Sequence, residues 1–195
     1  MRCVAGVLVG GLSTRMGRPK ATLPHPNGRT LLEHVISVAR QPDLWIDEIV
    51  LLGRCADPPA SLADMRTLAD PLPNAGPLAG LCALLEYAVD RWALLLACDM
   101  PRLQPSLLER LRVAAGPEHD AVVFRRPDRP GGYHTCCALY HPRLLPAALH
   151  ELRHGSGSLQ RPLAAARVAA LDPLPVEEEM LTNLNTPAEY ERLWT

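Results

Sequence analysis

The sequence predicts an α/β fold built on a mainly parallel sheet, and three observations carry that expectation. Wholly apolar runs recur in the first half of the chain, at residues 4–9 and again as "WALLLAC" at 92–98; such runs read as strands buried on both faces. Segments with helical spacing and helical start signals lie between them. The strands also end in loops rich in Gly and Pro, the edge at which ligands bind in parallel sheets.

Each element follows in order. Residues 4–9 form a first strand that feeds Gly10-Gly11. Thr30 is placed to cap a helix over 31–40, with Leu32, Val35, Ile36 and Ala39 on one face. Strands are expected at 48–52 and 66–69, then the loop "DPLPNAG" and an apolar helix from Pro77 to about 89. Residues 92–98 give the next strand and 105–113 a helix. After about residue 120 the pattern changes. "DAVVF" and "YHTCCALY" read as strands flanking the turn-rich "RRPDRPGG", followed by helices over about 142–153 and 158–166 and a short strand near Val168. "VEEEM" reads as a solvated acidic turn, and Thr186 caps a last helix that starts at Pro187.

At 195 residues the chain is long enough for one domain, or one domain with a small lobe. Apolar residues make up 48% and aromatics 4%, so the core is expected to be Leu, Ala and Val. A net charge of −1 argues against wholesale binding to nucleic acid or to an anionic membrane. The charge is unevenly spread: five basic residues and no acidic one precede Glu33, a local field suited to a small anion. The six cysteines form no C-x-x-C pair, and Cys136-Cys137 are expected to pack in a strand. No signal peptide of the usual form and no membrane-spanning run are apparent, so a soluble, cytoplasmic protein with reduced thiols is expected.

The most informative residue is Lys20, the single lysine beside nineteen arginines. It closes "GGLSTRMGRPK", where glycines allow backbone N–H groups close to phosphates and Ser13, Arg15, Arg18 and Lys20 add a hydroxyl and three cations. Neither G-x-x-x-x-G-K-[ST] nor G-x-G-x-x-G is present. A chain that uses Arg almost everywhere has kept the compact ammonium here, a shape that inserts beside phosphate oxygens. Asp99 directly follows the apolar strand at 92–98; a carboxylate at that edge is suited to Mg²⁺, which takes few protein ligands, while the plainer role is a helix cap. Asp70 has the same placement, or serves the turn before Pro71. Asn183 and Asn185 are two of four asparagines; taken alone, their simplest duty is capping and turn formation. The seven histidines form no H-E-x-x-H, and no G-x-S-x-G is present.

Taken together, "LVGGLSTRMGRPK", "GPLAGL", "ACDMP" and "NLNTPAEY" resemble, in order and spacing over essentially the whole chain, the molybdenum-cofactor guanylyltransferases, the MobA-like nucleotidyltransferases. The resemblance implies a Rossmann-like nucleotidyltransferase fold, three-layer α/β/α with a mixed, mainly parallel sheet. It implies Mg²⁺-dependent transfer of GMP from GTP to molybdopterin, yielding the guanine dinucleotide and pyrophosphate. Residues 1–119 would hold the nucleotide, about 120–182 the acceptor, and 183–195 the closing segment. The backbone of Leu8, Val9 and Gly10 would read guanine. Gly11, Ser13, Arg15 and Lys20 would hold the triphosphate, Asp70, Gly76 and Pro77 would border the nucleotide, and Asp99 would bind Mg²⁺. Asn183 and Asn185 would face the pterin, and proteins that deliver the cofactor or accept it are possible partners. Lys20, Arg15 and Asp99 would carry catalysis.

The sequence departs from the guanylyltransferase pattern at Val9, at Pro19 and at Leu52-Gly53. "MGRPK" is closer to the related cytidylyltransferases, so transfer of CMP to the same cofactor, or of a nucleotide to another phosphate monoester, stays open. From a different class, an idle nucleotide-binding module would be expected to lack Lys20 or Asp99; both are present.

Overall fold

The structure is a computed structural model, which describes residues 1–9, 19–54, 58–72 and 75–193. Of the residues singled out above, Gly10, Gly11, Ser13, Arg15 and Arg18 lie outside the described residues.

The strands are β1 (Cys3–Leu8), β2 (Glu48–Leu52), β3 (Thr67–Leu68), β4 (Trp92–Ala97), β5 (Ala121–Arg125), β6 (Tyr133–Tyr140) and β7 (Val168–Leu171). The helices are α1 (Leu31–Ala39), α2 (Pro77–Ala88), α3 (Pro105–Ala114), α4 (Leu145–Arg153), α5 (Pro175–Met180) and α6 (Pro187–Glu191). The strands form one sheet in the order β3-β2-β1-β4-β6-β5-β7. Pairs β1–β2, β1–β4, β2–β3 and β5–β7 are parallel, whereas β6 runs antiparallel to both its neighbours. The expected mainly parallel, mixed sheet is therefore present.

The central strands are apolar throughout because both sheet faces are covered. Cys3, Ala5 and Val7 of β1 and Leu94 and Leu96 of β4 pack with Leu32, Val35 and Ile36 of α1 and Leu107, Leu108 and Leu111 of α3. The alternate residues Val4, Ala93 and Leu95 pack with α2 and with Ala148 and Leu152 of α4. α1 starts where the sequence requires: Thr30 Oγ1 accepts from the Glu33 N–H at 3.2 Å, and the Glu33 carboxylate accepts from the Thr30 N–H at 2.8 Å. α2 approaches β1 closely, because a Cβ on Gly6 would stand 2.7 Å from methyl carbons of both Leu52 and Leu84.

Three local expectations are corrected. Residues 158–166 do not form an α-helix; they contain a 3₁₀ stretch, Arg161–Ala165. "VEEEM" is not a solvated turn but most of α5, whose Glu177 is 5% exposed. Arg110 of α3 pairs with that carboxylate, and this distant cation is what allows it inside. The third strand is also shorter than expected, confined to Thr67–Leu68.

The packing of α2 sets a first prediction. Leu84 is fully buried against β1, so Leu84→Ala should lower unfolding free energy by about 2–5 kcal/mol, read from the urea midpoint at unchanged slope. A loss below about 1 kcal/mol would contradict the packing described here.

Candidate functional site

The carboxyl end of β4 delivers Asp99, which is 7% exposed. It caps no helix: α3 begins after Gln104, and no side chain caps it. Instead Lys20 Nζ sits 2.6 Å from Asp99 Oδ2, and Asn183 Nδ2 donates to Asp99 Oδ1 at 2.9 Å. Lys20 Nζ also donates to Asn185 Oδ1 at 3.2 Å, and Asn185 Nδ2 donates to the Asn183 carbonyl at 3.2 Å. The backbone joins in, since the Leu184 N–H donates to the Asp99 carbonyl at 3.0 Å. Four residues singled out in the sequence thus form one network, and the two asparagines do not serve as helix caps.

Local chemistry holds each partner. Lys20 opens a single 3₁₀ turn, Lys20–Thr22, behind Pro19. On the other side, Thr186 caps α6 in a reciprocal box with Glu189, whose Oε2 accepts from the Asn185 N–H at 2.6 Å and the Thr186 N–H at 3.2 Å. These bonds hold Glu189 below the ordinary glutamate value, the Asn185 N–H contributing most. Leu23, Leu31 and Leu184 form a small buried cluster beneath, with Tyr190 and Leu193 against it.

A cleft of about 630 Å³ opens beside this network. Its lining includes Asn183, Asn185, Pro77, Arg126, His134, Cys136 and Gln160. Cys137 is buried, as expected for strand packing, but Cys136 is half-buried and borders the cleft. Burial, and secondarily Asp99, push the Cys136 thiol up to about 12, so it stays protonated at neutral pH. His134 is displaced downward, mainly by burial and then by Arg126.

The residues expected on the nucleotide side lie along the same sheet edge. Leu8 ends β1, and the Val9 N–H donates to the Leu52 carbonyl at 3.1 Å, so that N–H is already engaged by the sheet. Asp70 follows β3 and is half-buried, and burial raises its carboxyl above the usual aspartate value. Gly76 precedes α2 at φ +76°, and a Cβ on its neighbour across the gap, Gly157, would stand 2.9 Å from the Ala75 carbonyl. Gly157 has no room for a side chain at that crossing, and the positive φ favours glycine at Gly76. Pro77 then opens α2, whose first turn has no side-chain cap. Among the described residues, no hydrogen bond joins Asp70 or Gly76 to Asp99, Asn183 or Asn185. Among the described residues, no group of three or more His, Cys, Asp or Glu could hold a metal ion, and no helix is long and apolar enough to cross a membrane.

Sequence reasoning missed Glu189 as the anchor of Asn185, and it missed His25, whose ring reaches the Pro101 carbonyl at 2.8 Å. A signal existed for the first, because T-P-A-E after "NLN" is a capping box. None existed for the second.

The sequence pattern of the MobA-like NTP transferase domain matches residues 5–174. A probable molybdenum cofactor guanylyltransferase of Opitutus terrae is 36% identical, over 95% of this chain and 92% of that protein. The molybdenum cofactor guanylyltransferase of Pseudomonas paraeruginosa is 34% identical, over 95% and 91%. Among solved structures, molybdopterin-guanine dinucleotide biosynthesis protein A of Archaeoglobus fulgidus superposes with a TM-score of 0.78 at 22% identity, covering 97% of this chain and 96% of that one. The 2-C-methyl-D-erythritol 4-phosphate cytidylyltransferase of Thermus thermophilus gives 0.66 at 19%, covering 96% and 95%. These two likenesses establish the fold.

The Glu189 bonds predict a pH dependence. A carboxyl held below its ordinary value of 4.5 adds stability above that pH, and the contribution is lost as pH falls through the folded value. Exchange of the Asn185 amide hydrogen should therefore accelerate below about pH 4.5 beyond the intrinsic trend. Glu189→Gln should abolish that pH-dependent part.

Proposed function

This chain belongs to the MobA-like NTP transferase family, and on that premise we propose that it transfers GMP from GTP to molybdopterin. A phosphate oxygen of the acceptor attacks the α-phosphorus of GTP, a new phosphoanhydride bond forms, and the bond to the β-phosphate breaks to release pyrophosphate. The observation that carries this reading is the Lys20–Asp99–Asn183–Asn185 network at the carboxyl edge of the sheet. The relatives named as guanylyltransferases, 34–36% identical over nearly the full chain, support the choice of base and acceptor.

The acceptor needs little activation. A phosphate monoester has a second pKa of about 6 and is ionised near neutral pH, so no strong general base is required. The work left to the protein is alignment and neutralisation of charge. Lys20, with Arg15 and Ser13 of the preceding loop, serves the triphosphate, and charge that develops on the leaving pyrophosphate meets the Lys20 ammonium. The backbone from Leu8 to Gly10 reads the base, Gly11 joins the triphosphate contacts, and Asp70 and the Gly76-Pro77 turn border the nucleotide. Asn183 and Asn185 face the acceptor, with residues 120–182 supplying the far wall of the cleft.

The donor set fits a hard cation. Asp99 Oδ2 and Asn185 Oδ1 both point at the Lys20 ammonium, at 2.6 and 3.2 Å, and hard oxygens around a positive charge are the chemistry Mg²⁺ takes. One carboxylate is enough when phosphate oxygens and water complete the shell. Asp99 would hold the ion, which when bound supplies charge neutralisation at the phosphates.

Two measurements test the reading. Calorimetry with Mg²⁺ and each of GTP, CTP, ATP and UTP should show preference for GTP; preference for CTP would move the protein to cytidylyl transfer with the same fold and residues. Lys20→Ala should keep a native circular dichroism spectrum and lose about 10²–10³-fold in kcat. Wild-type turnover in that variant would refute the role given to Lys20.

A further inference from the structure

His25 lies outside the network yet is bonded to the segment that carries Asp99. Its Nδ1 accepts from the Asn27 N–H at 3.2 Å, which leaves the ring proton on Nε2. That Nε2–H donates to the Pro101 carbonyl at 2.8 Å. Pro101 stands two residues after Asp99, and His25 five residues after Lys20. The bond therefore ties together, from behind, the two short segments whose side chains meet in the ion pair.

The ring is fixed on its other side as well. His25 stacks on His34 with centroids 4.1 Å apart and planes inclined by 6°. His34 belongs to α1, whose Leu31, Leu32, Val35 and Ile36 are buried. Burial first, and then the neighbouring His25, push His34 down to about 4, so it is uncharged at neutral pH and stacks without repelling its partner. The turn that presents His25 is closed by the His25 N–H to the Arg29 carbonyl at 2.7 Å and the Gly28 N–H to the His25 carbonyl at 3.0 Å. Next to it, the Tyr190 hydroxyl donates to the Pro24 carbonyl at 2.8 Å, so the segment bearing the asparagines grips the same turn.

We propose that His25 is a positioning residue, one that sets the Lys20–Asp99 geometry by bonding the Pro101 carbonyl from a ring held flat against α1. It touches no reacting atom; it acts through the two residues that do. The inference deepens the proposed function and rests on the roles given there to Lys20 and Asp99.

The single lysine makes a direct test possible, because protein labelled with ¹³Cε-lysine gives one side-chain cross-peak, that of Lys20. Asp99→Asn sets the position of that peak when the ion pair is lost. His25→Phe keeps a flat ring for the stack and removes the donor; His25→Gln keeps an amide N–H near the position of Nε2. The peak should move toward the Asp99→Asn position in His25→Phe and return to wild type in His25→Gln. In guanylyl transfer, kcat of His25→Phe should fall about tenfold while KM for GTP stays within twofold, and His25→Gln should recover most of the loss. Should His25→Phe fail to fold, His25→Asn, whose shorter amide cannot reach Pro101, takes its place. A wild-type peak and kcat in folded His25→Phe or His25→Asn would overturn the proposal, as would a loss that His25→Gln does not restore. Failure of the functional reading is separately visible: wild-type protein would then show no transfer, while the cross-peaks still report on His25.

Discussion

A carboxylate at the end of a buried strand is the constraint from which the rest of the site follows. β4 is apolar to its last residue, Ala97, and Asp99, 7% exposed, follows after Cys98. A charge so far from water is tolerated only with a counter-charge and with its remaining lone pairs bonded. Lys20 supplies the charge from 79 positions away in sequence, and Asn183 takes the second oxygen from 84 positions away on the other side. Removing one member of such a pair costs on the order of 3 kcal/mol when burial is complete; here both side chains retain slight exposure, 20% for Lys20 and 10% for Asp99, so solvent softens that figure.

The identity of the cation follows from the same geometry. Lys20 Nζ serves a carboxylate oxygen and an amide oxygen that belong to different segments of the chain. A tetrahedral ammonium spreads its three N–H bonds over separated acceptors, whereas a guanidinium directs its donors in one plane and suits a single carboxylate. Elsewhere the chain uses that planar fork as expected. Arg167 grips Asp120 and Arg126 grips Asp128, each through two nitrogens. The lone lysine stands where three segments converge on one nitrogen.

How far the sequence could be read depended on the range of the interaction. β1, β2 and β4 are legible because burial on both faces leaves a continuous apolar run, and α1 is legible because its capping box lies within four residues. Lys20 and Asp99 stood out through composition and through position at a strand end. Their mutual contact carried no local signature, and neither did the recruitment of Asn183 and Asn185, for which the nearby Thr186 cap suggested a local role instead. "VEEEM" misled for the same reason: three consecutive glutamates look solvated until Arg110 arrives from α3. The 3₁₀ stretch at Arg161–Ala165 lies in an alanine-rich segment whose helix propensity is high, but Pro162 withholds an N–H and the chain must turn into β7.

Apolar support beneath the network is thin. The sheet is covered by two extensive clusters, whereas a small buried cluster of Leu23, Leu31 and Leu184, with Tyr190 and Leu193 against it, lies at the segment bearing Asn183 and Asn185, next to Leu181 of the larger core. Burying three leucines contributes roughly 5–9 kcal/mol before ordering entropy is subtracted, and ordering ten residues of chain opposes it by at least as much. The balance is made up by directional bonds: Leu184 to Asp99, Asn185 and Thr186 to Glu189, Tyr190 to Pro24. The same polar atoms that hold this segment in place also build the network. On the proposed roles, a nucleotide or metal drawing on Lys20 or Asp99 would compete for the atoms that bond Asn183 and Asn185.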